Sequence, residues 1–439
     1  MVLKKFTRRT NGHASTSSSS VPDDDDTSSY SGGAVNGYCQ KIQQKVSVIE
    51  TVAASLHDSR ASTREAALAS LIGVLEGFLP AVYVGWWYGD EILGRCYVSI
   101  KKGLAKEARL ALRAVALLAV TLGPCDASKK IMPETYPLVS QILEFSPDTS
   151  LVLAALECLA AVAFVDVGAD DAEECMMALW EVICPTDPKV AGAANKTNPK
   201  VLVAAVFAWT LFLTTTRAWK KVSPGALRAT AAYLASLLYS DSRAIRIAAG
   251  EALAVSIELK LLTRNKNTDM IFSDIEARAS DLANEAARRC GDKTNFLEQI
   301  DLFKKITSFL AGGKPPEESV RISSAHYGLL TTSTWTEMIR LKFLRRFLGS
   351  GFQHHLQGKG LIWQEFVIKD DEITGKLSAP RSKRSLKKDT RIAKELNGGV
   401  SMERKEKNLQ MIKNSQERQR REKKDRQMAY DMKYGSSDL

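Results

Sequence analysis

The sequence predicts an all-α chain, a solenoid of stacked helix pairs followed by a small C-terminal domain and a basic tail that is helical or disordered. Three observations predict it. Alanine-rich apolar helices recur at a nearly constant interval. A Pro/Gly linker ends them. The positive charge gathers beyond the last apolar segment.

Residues 1–37 are poor in apolar side chains and rich in Ser, Thr, Gly and Asp, with an acidic run at Asp23–Asp26. Such a segment buries too little surface to offset its ordering entropy, so it is expected to be disordered. From residue 38 to 310 the pattern changes. REAALASLIGVLEGFL begins at Arg64, EARLALRAVALLAVTLG at Glu107 and SLVLAALECLAAVAFV at Ser150; PKVLVAAVFAWTLFL begins at Pro199 and RAIRIAAGEALAVSIEL at Arg243. The starts are 43, 43, 49 and 44 residues apart, the interval of HEAT and armadillo repeats. Alanine suits the role, because it favours helix and lets neighbouring helix axes approach closely. Ser62, Lys106, Ser150, Asn198 and Ser242 stand just ahead of the apolar periodicity as start signals. Cys39–Leu56, Ile131–Phe145, Asp170–Ile183, Pro224–Tyr239 and Ser273–Cys290 are the expected partner helices. Stacked pairs of this kind bury one continuous core.

A linker, AGGKPPEES, covers residues 311–319, and a C-terminal domain is expected over 320–375. Val320–Thr334 is β-branched and Ser-rich, and reads as one or two short strands or an ordered loop. Thr334 and Glu337 then form a capping box. The helix it opens has an apolar face of Trp335, Met338, Ile339, Leu341, Leu344, Phe347 and Leu348, with Arg340, Lys342, Arg345 and Arg346 on the remainder. Gly349 and Gly351 end it, and FQHHLQGKGLIWQEFVI suggests one more short helix and an apolar end that packs back.

Charge sorts sharply along the chain. The net charge is +11, yet residues 376–439 hold 19 Lys and Arg against 9 Asp and Glu. The other 375 residues are therefore within one charge of neutral. Lys383, Arg384, Lys387 and Lys388 form one basic cluster. Arg418, Arg420, Arg421, Lys423, Lys424 and Arg426 form another. Side chains of this kind neutralise phosphates and release counterions. Tyr430 and Tyr434 are the tail's only aromatics, so base stacking is scarce and backbone or shape recognition is the expected mode. Either cluster equally suits nuclear import alone, and a plain solvated tail is the third reading.

Catalytic and cofactor chemistry finds no support. No Gly-rich phosphate loop precedes a helix. His354 and His355 are adjacent, whereas two ligands on one helix face need four-residue spacing. The seven cysteines form no CxxC pair, their closest spacing is nine residues, and most lie in apolar helical runs, as reduced thiols of a reducing compartment do. No cofactor, metal or small-molecule substrate is expected. The N-terminal MVLKKFTRRTNGH lacks the apolar core of a secretory signal. The runs Leu151–Val167 and Val201–Leu213 read as buried helices rather than membrane spans, the first containing Glu157 and the second being too short.

At RIAAGEALAVSIEL (Arg246–Leu259) and FLRRFLGSGFQHHLQ (Phe343–Gln357) the chain resembles the interferon-related developmental regulator family, and the Ser-Thr-Trp at Trp335 fits as well. The resemblance spans roughly residues 40–430. It implies an armadillo-type fold. It also implies roles in gene regulation, as a transcriptional co-regulator and as a factor on idle ribosomes, where the basic C-terminal segment lies in RNA-lined channels. Asn414–Gln427 matches that segment loosely and carries more acidic residues. The expected function is thus non-enzymatic: binding of ribosomes or other structured RNA through the tail, acting by occlusion, in cytoplasm and nucleus. The alternative is a nuclear protein–protein scaffold acting as a transcriptional co-regulator, with partners on the solenoid face and the tail serving import.

Overall fold

The computed structural model describes residues 32–85, 89–185, 198–215, 223–288, 293–322, 328–366 and 368–370. All of them belong to one compact unit that ends at Asp371. Thirteen helices make its repeat region among the described residues: α1 Gly32–Ser55, α2 Ala61–Glu76, α3 Val82–Gly85, α4 Gly89–Lys102, α5 Ala105–Leu122, α6 Ile131–Phe145, α7 Thr149–Val165, α8 Ala169–Ile183, α9 Pro199–Thr215, α10 Pro224–Leu237, α11 Arg243–Glu258, α12 Asp269–Arg288 and α13 Lys293–Leu310. Six pairs stack: α1/α2, α4/α5, α6/α7, α8/α9, α10/α11 and α12/α13. The second members follow one another as an inner row, α2–α5–α7–α9–α11–α13. The fold is the all-α, HEAT/armadillo-like solenoid expected.

The five alanine-rich helices are α2, α5, α7, α9 and α11. Besides the one-turn α3, two helices of the repeat region had no sequence prediction. Helix α4, GDEILGRCYVSIKK, is the partner of α5, and α13, KTNFLEQIDLFKKITSFL, is the partner of α12. Both lack the alanine run. The sixth pair has only one inner-row neighbour, so its packing asks less for small residues. Helix α1 starts at Gly32, so the tract expected to be disordered to residue 37 gives its last six residues to a helix; residues 1–31 lie outside the described set. Of the five start signals only Asn198 caps, taking the Lys200 N–H at 3.0 Å. Ser62, Lys106 and Ser150 already lie inside their helices, because each helix begins a residue or more earlier. Asp148 accepts from Ser150 and Leu151 instead, and Ser242 holds the N-cap position without a side-chain bond.

The repeats are joined by a shared polar device. Arg64 donates through Nη1 to the carbonyls of Asp58 (2.9 Å) and Ser59 (2.8 Å) and, through its Nε–Nη2 edge, to Glu107 of the next inner helix at 2.7 and 2.8 Å. Arg246 donates to Ser240 (2.8 Å) and Asp241 (3.1 Å), again six and five residues back, and reaches Gln299 of the next inner helix at 3.0 Å. Each arginine closes its own interhelix turn and locks it to the following repeat. Glu107 is 1% exposed; a bidentate guanidinium is the partner such a carboxylate needs. In the other row Arg95 and Arg278 each cap the preceding helix, at Leu56 and Leu238 carbonyls. No described helix is long and apolar enough to cross a membrane.

After α13 the chain turns at Gly312 (φ 85°) and enters a three-stranded antiparallel sheet. Its strands are β1 Glu318–Arg321, β2 Gly328–Thr332 and β3 Ile368–Asp370, with Val320 opposite Leu330 and Leu330 opposite Ile368. The strand-or-loop alternative resolves to two strands, and the apolar chain end supplies a third. Strand β1 begins inside the stretch read as a linker. Between β2 and β3 come α14 Trp335–Leu348, a 3₁₀ turn Gly349–Gly351, α15 Phe352–Gln357 and α16 Leu361–Glu365. These do not stand apart from the repeats. Helix α14 packs on α11, α9 and α7, α15 on α2, and α16 on α5. The segment thus runs back along the inner row from its fifth helix to its first.

Two glycines make that return possible. A Cβ on Gly351 would sit 2.3 Å from the Glu76 carbonyl oxygen at the end of α2, and one on Gly358 would sit 2.2 Å from the Phe78 ring. The Glu76 carbonyl is backbone and cannot swing aside. Gly351→Ala is therefore expected to lower stability by about 1–3 kcal/mol. Gly73→Ala, in mid-helix with nothing within 4 Å, should raise it by about 0.5–1 kcal/mol. Urea unfolding of both variants against the parent checks the pair; a neutral Gly351→Ala contradicts the close approach.

Candidate nucleic-acid interface

The ten tail residues predicted to meet nucleic acid, from Lys383 to Arg426, lie outside the described residues. What the described residues show is where the other basic cluster, on α14, directs its charge. Much of that helix is buried: Trp335, Ile339, Leu341, Phe343 and Leu344 are fully enclosed, and three of its four cations meet carboxylates.

Helix α14 is held at both ends in the sense of its dipole. At its N-terminus Glu258, the last residue of α11, accepts from the N–H groups of Trp335 (2.7 Å) and Thr336 (2.8 Å) and from the Thr336 hydroxyl (2.8 Å). Thr334 Oγ1 caps Glu337 N–H at 3.0 Å, as the capping box requires, while Glu337 returns its bond to Ser333 N–H at 2.7 Å, one residue before the expected partner. At the C-terminus Arg113 of α5 donates to the Phe347 carbonyl and lies 4.1 Å over the Phe347 ring. Its guanidinium also meets Glu76 of α2 at 2.9 Å and Glu157 of α7 at 3.5 Å. A carboxylate at a helix N-terminus and a cation at its C-terminus both stabilise it.

Along the helix the pairing continues. Lys342 Nζ is 2.6 Å from Glu251 and 3.6 Å from Glu298. Burial opposes its charge, but the Glu251 carboxylate outweighs burial and holds the ammonium above its usual pKa. Arg340 pairs with Glu365 at 2.8 Å, and Arg345 pairs with Glu318. Aromatic rings alternate with these cations: Phe343 packs on Phe164, Phe207 and Phe347, and Arg346 lies 4.1 Å over Phe207. Arg346 has no acceptor among the described residues. The basic side chains stand on the helix where the sequence puts them, but it gave no sign of their acids: Glu251 lies 91 residues from Lys342 and Glu318 lies 27 from Arg345, while Glu365 faces Arg340 from α16.

His354 and His355 part company, as adjacent helical residues should. His354 is exposed. His355 is 3% exposed, lies edge-on to Phe78 at 5.4 Å, and its Nε2 is 2.8 Å from the Leu75 carbonyl. A carbonyl only accepts, so Nε2 carries the proton and the ring is neutral when Nδ1 is bare. Burial pushes its pKa below the usual histidine value, with the Leu75 bond acting the other way. Among the described residues no three His, Cys, Asp or Glu side chains gather as a metal site. Cys96, Cys158 and Cys175 are buried free thiols, raised in pKa by that burial.

Two outcomes follow from this geometry. Arg113→Met and Glu258→Gln should each cost about 1–3 kcal/mol and speed tryptic cleavage after the exposed Arg321 by loosening α14; unchanged cleavage in both contradicts the two-ended clamp. His355 binds protons more weakly folded than unfolded, so its contribution is fully present above about pH 6.5 and is lost as the pH falls below that. Urea midpoints of His355→Gln between about pH 7.5 and 5 should then fall less on acidification than those of the parent.

Comparison with known proteins agrees with this architecture. The profile of the interferon-related developmental regulator family matches residues 13–310, all the repeats but not the segment carrying α14. Interferon-related developmental regulator 2 of Mus musculus is 29% identical over 331 residues, covering 71% of this chain and 70% of that protein. Interferon-related developmental regulator 1 of Sus scrofa is 25% identical over 326 residues, covering 71% and 69%. The human form is 24% identical over 326 residues, covering 71% and 68%. With a stack of six helix pairs and a profile match across more than half its length, the chain belongs to the interferon-related developmental regulator family.

Proposed function

We propose that this chain is a non-enzymatic regulator of gene expression that attaches to ribosomes or other structured RNA through residues 376–439 and acts by occlusion. The observation that carries the reading is the partition of charge. The body is near neutral in sum, and on α14 three of its four cations are paired with the body's carboxylates. The tail's surplus has no such balance within its own sequence, where basic residues outnumber acidic ones by about two to one. Cations in excess over local acids are what a polyanion recruits, and such a segment orders on binding. The mechanism needs no reacting group: a tail that fills an RNA-walled site excludes other ligands from it.

A second reading, a nuclear protein scaffold acting as a transcriptional co-regulator, is favoured by apolar side chains left exposed on the body. Leu104 is 70% and Met270 87% exposed. On the inner row, α14 covers part of the surface of α7, α9 and α11.

One experiment separates the two. Full-length protein should co-sediment with ribosomal particles in a gradient, losing about 10³-fold in affinity between about 50 and 200 mM salt. A 1–375 form should fail to co-sediment. Unchanged binding by the 1–375 form would remove the tail mechanism and leave the body as the binding element.

A further inference from the structure

Helix α14 crosses the inner row on one side only. It meets α7 near Phe164, α9 at Phe207 and α11 at Glu251 and Glu258. The N-terminal halves of the same three helices stay open beside it. They form a cavity of about 520 Å³, walled by Leu153 and Ala154 of α7, Val203 and Ala204 of α9, and Ala244 of α11, with Arg346 of α14 on its border. The walls are aliphatic and small. The alanines that let the inner helices pack closely also leave room above them.

The charges at this cavity are unequal. Glu157 lines it, but that carboxylate already faces Arg113 at 3.5 Å. Arg346 lies 4.1 Å over the Phe207 ring, is exposed at the surface, and has no acceptor among the described residues, unlike Arg340, Lys342 and Arg345 on the same helix. Lys200, at the second position of α9, is likewise exposed with no ion pair among the described residues. A guanidinium held over the Phe207 ring and without an acceptor among the described residues keeps N–H groups with which to receive a carboxylate.

We propose that this cavity is a docking site for an acidic, aliphatic peptide segment of a partner protein, with one or two Leu-, Val- or Met-sized side chains in the cavity and a carboxylate on Arg346 and Lys200. Three helices at about 10 Å spacing span roughly 20 Å, the length of about six extended residues. RNA fits poorly. The cavity offers aliphatic walls rather than ring faces for bases, and the Phe207 face is taken by Arg346. The site is independent of the tail and would serve a protein partner whether or not the tail meets RNA.

The test is selection of a phage-displayed hexapeptide library on the full-length chain. Synthetic forms of the selected sequences are then measured by fluorescence polarisation. Selected peptides should combine Asp or Glu with Leu, Ile, Val or Met. Ala204→Trp, which fills the cavity, should weaken binding by about tenfold or more, and Arg346→Glu should do so as well. Arg346→Gln serves as the milder variant, and matching melting curves show that each protein is folded. The proposal is overturned if no consensus emerges, if the consensus is basic, or if its peptides bind the variants as tightly as the parent. It is equally overturned if polyuridylate competes with the peptide, or if Ala204→Trp abolishes a self-association of the parent; the cavity would then belong to RNA or to a second copy.

Discussion

The geometry of the body rests on the two-ended capture of α14. An inner-row carboxylate, Glu258, occupies the N-terminus of this helix and an inner-row guanidinium, Arg113, occupies its C-terminus. Both groups complement the helix dipole, and both satisfy backbone groups that a helix otherwise leaves orphaned. Glu258 ends α11, a position where a carboxylate opposes its own helix's dipole. That local conflict is resolved by giving the charge to α14. Arg113 does more than cap. It touches acids of α2 and α7 from α5, so the bond that ends α14 also ties three consecutive inner helices. Removing the returning segment would leave this guanidinium and the Phe164, Phe207 rings without their cover.

Repetition supplies the frame for that capture. Arg64 and Arg246 use the same sequence offsets to bond their own turn, and each then reaches the following inner helix. Two such locks near the two ends of the stack suit a solenoid, in which each repeat is stabilised by its neighbours and terminal repeats are the weakest. Between them, α7 and α9 rely on apolar packing, and almost every residue of Ala155–Val165 and Ala205–Leu213 is buried. Polar precision at the ends and aliphatic bulk in the middle are two solutions to one requirement, a fixed rotation from each pair to the next.

The repeat interval was legible because alanine and aliphatic residues return every 43 to 49 positions, and helix packing forces that return. Helix α14 was legible through its capping box and its apolar face. Other features were not. Helices α4 and α13 carry apolar faces without the alanine signature, so a search for small residues passes over them. The pairing of Lys342 with Glu251 and of Trp335 with Glu258 joins residues 91 and 77 positions apart, and no local pattern encodes such a meeting. Arg340, Lys342 and Arg345 could therefore be placed on the helix but not given partners. Gly351 reads from sequence as a stop signal and Gly358 carries no signal; the demand both meet, close approach to Glu76 and Phe78, exists only once the chain has returned to α2.

This return changes what the charge of the whole chain means. A net charge near zero can hide separated patches that still attract a polyanion. In this body the most basic helix is instead neutralised at contact distance, and at physiological ionic strength fields fade within about 8 Å. Its cations thus have little reach into solvent, and Arg346 is the exception on α14. A single stacked guanidinium beside aliphatic walls is a poor match for a phosphate chain and a good match for one carboxylate on an apolar peptide. The partition of charge therefore underlies two separate proposals for one chain: a protein partner for the inner row, and a polyanion for the surplus beyond residue 375.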